Sequence, residues 1–215
     1  MNNKDAMTFF KGLACSEKNS PNVVKLAHNT DYTDLDAAFI LKYSNQKSKI
    51  LDIGTGTGLI VNKIYDKVGY VECVEPYKEF TKFINKSDNI KIVNKNVFEY
   101  QTKQKFDLIT LFGFMQYFIE LEAIQIYKKC YNLLNKSGII IIKNQFGITK
   151  DVNVSGYSQE QKSDYFSQYR HIDKEKKILT ESGFNNIEYF DIYPPEANRW
   201  DNTKFFAIVG NKKLR

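Results

Sequence analysis

The run Ile50-Leu51-Asp52-Ile53-Gly54-Thr55-Gly56-Thr57-Gly58 constrains this chain more than any other. Four residues of strand character, three of them apolar, meet three glycines in alternation, and a segment with helical spacing follows from Leu59, stopped by Gly69. Glycine permits the tight turn and leaves no side chain between the backbone and a ligand. A strand, a glycine loop and a helix in that order form the place where doubly wound α/β proteins hold nucleotide-like cofactors.

The spacing narrows the cofactor. A dinucleotide fingerprint needs its third glycine at position 59, which is Leu59. A second strand, Val71 to Val74, ends at Glu75, which lies 21 residues past Gly54. That is the offset at which a carboxylate reaches ribose hydroxyls. A carboxylate accepts both hydroxyl protons of a free diol and repels a 2′-phosphate. The site therefore favours an adenosine-type ribose.

An acid at Asp52, the Gly-x-Gly-x-Gly loop and Glu75 at the next strand end together resemble the class I S-adenosylmethionine-dependent methyltransferases. That cofactor lacks a pyrophosphate and carries an ammonium and a sulfonium, which suits acids and carbonyls beside the loop. The resemblance runs from about residue 30 to the C-terminus. It implies a Rossmann-like, mostly parallel seven-stranded sheet with an antiparallel last strand and helices on both faces. It also implies S-adenosylmethionine as methyl donor and S-adenosylhomocysteine as product. Gly54, Thr55 and Gly56 would contact the cofactor through the backbone, and Glu75 would hold the ribose, with Pro76 opening the following helix. Asn96 stands where relatives often place an acid for the adenine amino group; its amide oxygen can accept the same proton. Val97 would add a backbone N–H and Phe98 an apolar wall. Phe112 and Gly113 would pass close to the cofactor, and Tyr32 falls in a segment that relatives fold over its methionine part.

With 215 residues, 42% hydrophobic and 26% charged, the chain is expected to form one folded domain. Residues 1–45 read as a helical N-terminal cover, 46–143 as the cofactor-binding core, and 144–215 as the acceptor-binding segment with the last strands. Strands are expected at 49–53, 71–74, 90–93, 106–112, 139–142, 187–193 and 204–209, alternating with helices through most of the chain. A helix from Asp34, with Asp34 as N-cap, is expected before the first strand. The segment 144–171 has no period and reads as irregular. No apolar run approaches a membrane span and no secretory leader is visible, so a cytoplasmic protein without membrane contact is expected. Three scattered cysteines and two distant histidines make neither a disulfide framework nor a metal site. The net charge of +6 is spread among acids, which fits solvated surface rather than a nucleic-acid face.

The methyl acceptor is expected to be a small molecule, free or nucleotide-linked, bound by the segments outside the core. Gln116 and Tyr117 follow the fourth strand, and Asn144 leaves the fifth at the ligand edge. Tyr165, Tyr169, Arg170 and His171 form one polar-aromatic cluster, and Asn198, Arg199 and Trp200 another. Arginine suits fork-like recognition of anions. Tyr165, Arg170 and His171 are the candidate catalytic groups, with His171 as base for a sugar hydroxyl or, with Arg170, as charge partner of a phosphate-type oxygen. The competing reading makes Arg170 and Arg199 partners of loop carbonyls and Trp200 a core plug. The two clusters and Tyr193-Pro194-Pro195-Glu196 also resemble small bacterial methyltransferases of surface-polysaccharide biosynthesis. That implies O-methylation of a sugar or a phosphoramidate-type group. A monomer or homodimer is expected. A small-molecule N-methyltransferase and a non-catalytic cofactor-binding protein are the alternatives.

Overall fold

The computed structural model describes residues 3–16, 19–23, 30–158, 163–198 and 200–213. Seven strands form one sheet: β1 (Lys49–Ile53), β2 (Tyr70–Val74), β3 (Ile90–Val93), β4 (Phe106–Phe112), β5 (Leu134–Gly147), β8 (Phe184–Phe190) and β9 (Thr203–Lys212). Their order is β3-β2-β1-β4-β5-β9-β8. The first five are parallel to one another, and β9 runs antiparallel to both β5 and β8. The expected Rossmann-like methyltransferase sheet is therefore present. The order reverses between β1 and β4, which is where open α/β sheets bind ligands at the carboxyl ends of the strands.

Alternate side chains of each strand feed two cores, because successive residues point to opposite faces. Leu51, Ile53, Ile109 and Ile142 pack with Ile126 and Cys130 of α5 (Glu120–Leu133) and Ile178 and Leu179 of α6 (Ile172–Glu181). Ile50, Leu108 and Ile141 pack on the other face with Phe39 and Ile40 of α2 (Thr33–Leu41) and Val61 and Ile64 of α3 (Val61–Ile64). Covering both faces is what the unbroken apolar runs of β4 and β5 require. Helix α1 (Asn3–Ala14) seats Phe9 and Leu13 against Phe80 of α4 (Lys78–Thr81).

Several expected elements change. The helix after the glycine loop stops at Ile64 and gives way to a 3₁₀ turn at Tyr65–Lys67. Asn89 donates to the carbonyls of Tyr65 and Val68, and the Gly69 and Tyr70 N–H groups turn to Ser48 to start β2. The carbonyls and donors that a longer helix would use are thus taken. Asp34 lies inside α2 rather than capping it; Asp31 accepts the Thr33 N–H at 2.8 Å, and Asp34 pairs with Lys63. The segment expected to be irregular holds a hairpin, β6 (Val152–Ser158) against β7 (Ser163–Tyr169). Strand β5 continues through Asn144, Gln145 and Phe146, which pair with Phe206, Phe205 and Lys204 of β9.

Candidate active site

The loop between β1 and α3 is shaped by its glycines. Gly54, Gly56 and Gly58 have φ of +79°, +57° and +79°, a region side chains avoid. A Cβ on Gly54 would meet the Phe114 ring at 2.4 Å. The Gly54 N–H donates to the Val74 carbonyl at 2.8 Å, pinning the loop beside the end of β2. There Glu75 accepts the N–H of Gly56 at 3.0 Å and of Tyr77 at 3.2 Å. Asp52 accepts the Thr110 hydroxyl at 2.6 Å. Both carboxylates are buried, and neither has an ion-pair partner among the described residues. Burial pushes the Asp52 carboxyl up against the pull of its hydroxyl donors. Burial likewise pushes Glu75 up to about 7, with Asp52 adding to the rise and the Tyr77 and Gly56 N–H groups opposing it.

These groups open on a cavity of about 300 Å³ along the carboxyl edge of the sheet. Its wall brings together Tyr32, Asp52, Gly54, Thr55, Gly56, Glu75, Pro76, Asn96, Val97, Phe112, Gly113, Gln116, Tyr117 and Tyr169, all singled out from the sequence. Helix α1 closes one side with Ala6, Met7 and Phe10, the last edge-on to Tyr117 at 5.0 Å.

The Asn96 oxygen is already engaged. It accepts the N–H groups of Phe98 and Glu99 at 2.9 and 3.0 Å, which uses both lone pairs. Asn96 therefore shapes its turn, and the assignment of that oxygen to an adenine amino group is corrected. Phe98 lies outside the wall, 39% exposed and edge-on to Phe118.

Two of the three catalytic assignments, Arg170 and His171, fail on geometry. Arg170 is buried away from the cavity. Its guanidinium pairs with Glu175 and donates to the carbonyls of Phe118 at 2.6 Å and Met115 at 3.1 Å. Tyr127 donates to the same Glu175. Four of the five N–H groups of the arginine are directed into this clamp under the β4–α5 loop, in line with the carbonyl-partner reading. His171 lies just ahead of α6. Its Nε2 meets the Ile148 carbonyl at 2.7 Å and its backbone N–H donates to Asp151, so the ring is not at the cavity wall. Asn144 faces away from the cavity, and its oxygen accepts the Phe114 N–H at 3.1 Å. Trp200 is 44% exposed and neither plugs the core nor lines the cavity. Arg199 and the Tyr165 side chain lie outside the described residues.

The wall also contains Gln145 and Tyr193, from the stretches read as acceptor-binding, and Asp36, Lys143 and Phe205, which the sequence did not single out. Lys143 and Gln145 flank Asn144 on β5, so the strand's two-residue period puts them on the opposite face. That period could have found them had β5 been drawn to its full length. Asp36 is an acid on the buried side of α2, another readable signal.

No group of potential metal ligands occurs among the described residues, and none of their helices is long and apolar enough to cross a membrane. Comparisons with known proteins agree with this architecture. Residues 50–138 match the family described as methyltransferase domain. A 1,6-didemethyltoxoflavin N1-methyltransferase from Burkholderia thailandensis is similar over 96% of this chain and 90% of its own, with a TM-score of 0.73 and 14% identity. The DhpI–S-adenosylhomocysteine complex is similar over 96% and 98%, with a TM-score of 0.70 and 13% identity. An S-adenosylmethionine-dependent methyltransferase from Clostridium acetobutylicum is similar over 85% and 92%, with a TM-score of 0.63 and 14% identity. No curated protein matches the sequence. Residues 50–138 thus match a methyltransferase domain, and they sit in a sheet of the methyltransferase fold.

Proposed function

We propose that the protein is an S-adenosylmethionine-dependent methyltransferase acting on a small-molecule acceptor. One observation carries this reading: two buried carboxylates without cationic partners among the described residues, Asp52 and Glu75, bracket a bare glycine loop at the switch point of the sheet. The donor set fits an adenosyl sulfonium. Glu75 can turn from the Gly56 N–H to accept both ribose hydroxyls. Asp52 and the carbonyls of the loop would hold the ammonium end, and Val97 and Pro76, also in the wall, would flank the base. When bound, the cofactor supplies an electrophilic methyl group on a good leaving group. The chain's own residues then hold the acceptor in line with that methyl and keep water out, with α1 and the aromatic wall as cover. Two of the similar proteins, DhpI and the 1,6-didemethyltoxoflavin N1-methyltransferase, are described as complexes with S-adenosylhomocysteine.

The finer reading is O-methylation of a sugar or phosphate-type acceptor in surface-glycan biosynthesis. It keeps the support of sequence resemblance and loses that of Arg170 and His171, which are committed elsewhere. A second reading, transfer to nitrogen, gains from the wall itself. Asp36, Asp52 and Glu75 stand against Lys95 and Lys143 among aromatic rings, a balance that suits an amine. Titration calorimetry with S-adenosylhomocysteine tests the common core of both readings: saturable heat with one site per chain is expected, and no heat overturns it. Product analysis after turnover then separates O- from N-methylation.

A further inference from the structure

The cofactor assignment leaves one polar cluster in the cavity unused. Sheet order divides the cavity: residues after β1, β2 and β3 form the cofactor end, and β4, β5, β9 and the loop after β8 form the other. At this second end the Tyr193 hydroxyl donates to Asp36, 2.9 and 2.8 Å from its two carboxylate oxygens, and accepts from Lys143 Nζ at 2.7 Å. Lys143 also lies 3.2 Å from Asp36. The three groups come from α2, β5 and the loop after β8, distant in sequence, and all reach the cavity wall. Asp36 and Lys143 are 1% and 8% exposed. Replacing a buried charge pair by well-packed apolar residues is often neutral for stability, so stability alone is weak grounds for this one.

Two features set the chemistry. The Tyr193 ring packs against Tyr32 and Phe205, with centroids at 4.9 and 5.1 Å, and Lys143 Nζ sits over the rings of Tyr193, Phe205 and Phe112. This wall suits a flat aromatic body. The charge of Lys143 is offset by Asp36, so the cluster offers no net positive charge to an anion. What it offers is a phenol oxygen, polarised by an ammonium, whose own proton already points at a carboxylate. Such a chain can take a proton from a neutral hydroxyl.

Building on the cofactor reading, we propose that Asp36, Tyr193 and Lys143 are the proton-accepting site for the methyl acceptor, and that this acceptor is a flat phenol-type molecule. The acceptor O–H bond breaks as its proton passes to Tyr193 Oη, while the Tyr193 proton passes to the Asp36 carboxylate. The acceptor oxygen bonds to the methyl carbon as the carbon–sulfur bond breaks, with that electron pair left on sulfur. One cationic donor, one neutral phenol and one carboxylate thus become a neutral thioether, a methyl ether and a protonated Asp36. Lys143 steadies the negative charge that develops on the relayed oxygens.

The probe is 4-nitrophenol, whose ionised form is visible by its absorption, added to protein saturated with S-adenosylhomocysteine. The bound probe is expected to be about tenfold more ionised than free probe at the same pH, the effect of about one pKa unit. Tyr193→Phe should abolish that excess, and Asp36→Asn should reduce it; retained binding of S-adenosylhomocysteine shows that each variant folds. No probe binding to the saturated wild-type protein, a bound probe no more ionised than the free one, or excess ionisation surviving in Tyr193→Phe would each overturn the proposal. The wild-type spectrum decides even if a variant fails to fold. Failure of the cofactor reading is seen separately, as absent S-adenosylhomocysteine heat before any probe is added.

Discussion

Glu75 shows how a single residue trades stability for binding. Its carboxyl lies at about 7 in the folded chain, against 4.5 as the ordinary value. Between those values the folded state holds a proton that the unfolded state has released. The unfolded state therefore binds fewer protons, and ligand-free stability falls as pH rises from about 4.5 to about 7. The full loss is at most about 3 kcal/mol. Glu75→Gln removes this penalty while weakening the tie to Gly56 or Tyr77, for an expected net gain of about 1 kcal/mol at pH 8. Thermal unfolding should show a midpoint raised by about 2–4 °C. The same variant should bind S-adenosylhomocysteine at least about tenfold more weakly, since charge-assisted bonds to the ribose are lost. Wild-type affinity should also fall as pH drops below about 7, a dependence that Glu75→Gln should lack. An unchanged affinity in the variant would remove Glu75 from the ribose. Glu75 was legible in the sequence because a fixed offset from the glycine loop defines it. Arg170 was misread because its type suits both anion binding and carbonyl clamping, and only the fold shows that its donors are engaged.

Among elements, the β4–α5 loop depends most on a distant support. It carries Phe114, Gln116 and Tyr117 to the cavity, and its Met115 and Phe118 carbonyls rest on Arg170. Glu175, fully buried, holds the arginine from α6, and Tyr127 completes the set from α5. Arg170→Met strands a buried carboxylate and two carbonyls, so a loss of about 3–5 kcal/mol in urea unfolding is expected. The double variant Arg170→Met/Glu175→Gln should recover about half of it, because no buried charge is then left alone. Full stability in the single variant would contradict the clamp. His171→Ala, at a partly exposed helix start, should cost less than about 1 kcal/mol and leave the pH profile of turnover unchanged. The strand positions of the core were readable from apolar runs bounded by polar turns. The hairpin Val152–Ser158 with Ser163–Tyr169 was not, because its strands are polar and Tyr-rich, and among its described side chains only Ser167 and Tyr169 at the end of β7 are buried. The extension of β5 was hidden for a related reason: Lys143, Asn144 and Gln145 look like loop residues, yet β9 pairs with each of them.

Across the whole molecule, the cavity is closed by chain far from the sheet it serves. The Tyr77 hydroxyl donates to the Met7 carbonyl at 2.6 Å, and the Thr57 hydroxyl donates to the Pro21 carbonyl. The loops after β1 and β2, which should seat the cofactor, are therefore bonded to the N-terminal cover. Cofactor binding should stiffen both together, since ordering one bonded partner lowers the cost of ordering the other. At S-adenosylhomocysteine near 100 times its dissociation constant, binding to the folded state alone should add about 2.7 kcal/mol and raise the unfolding midpoint by about 5–10 °C. Amide exchange should slow over residues 3–14 of α1 as well as at Gly54–Gly58. Tyr77→Phe removes one bond, worth about 1 kcal/mol, and should keep most of the midpoint shift while α1 loses its protection. That divergence separates a cover coupled to the site from one that merely packs beside it. If exchange in α1 is unmoved by the ligand in the wild-type chain, the helix is a fixed wall, and the cavity must admit its ligands from another side.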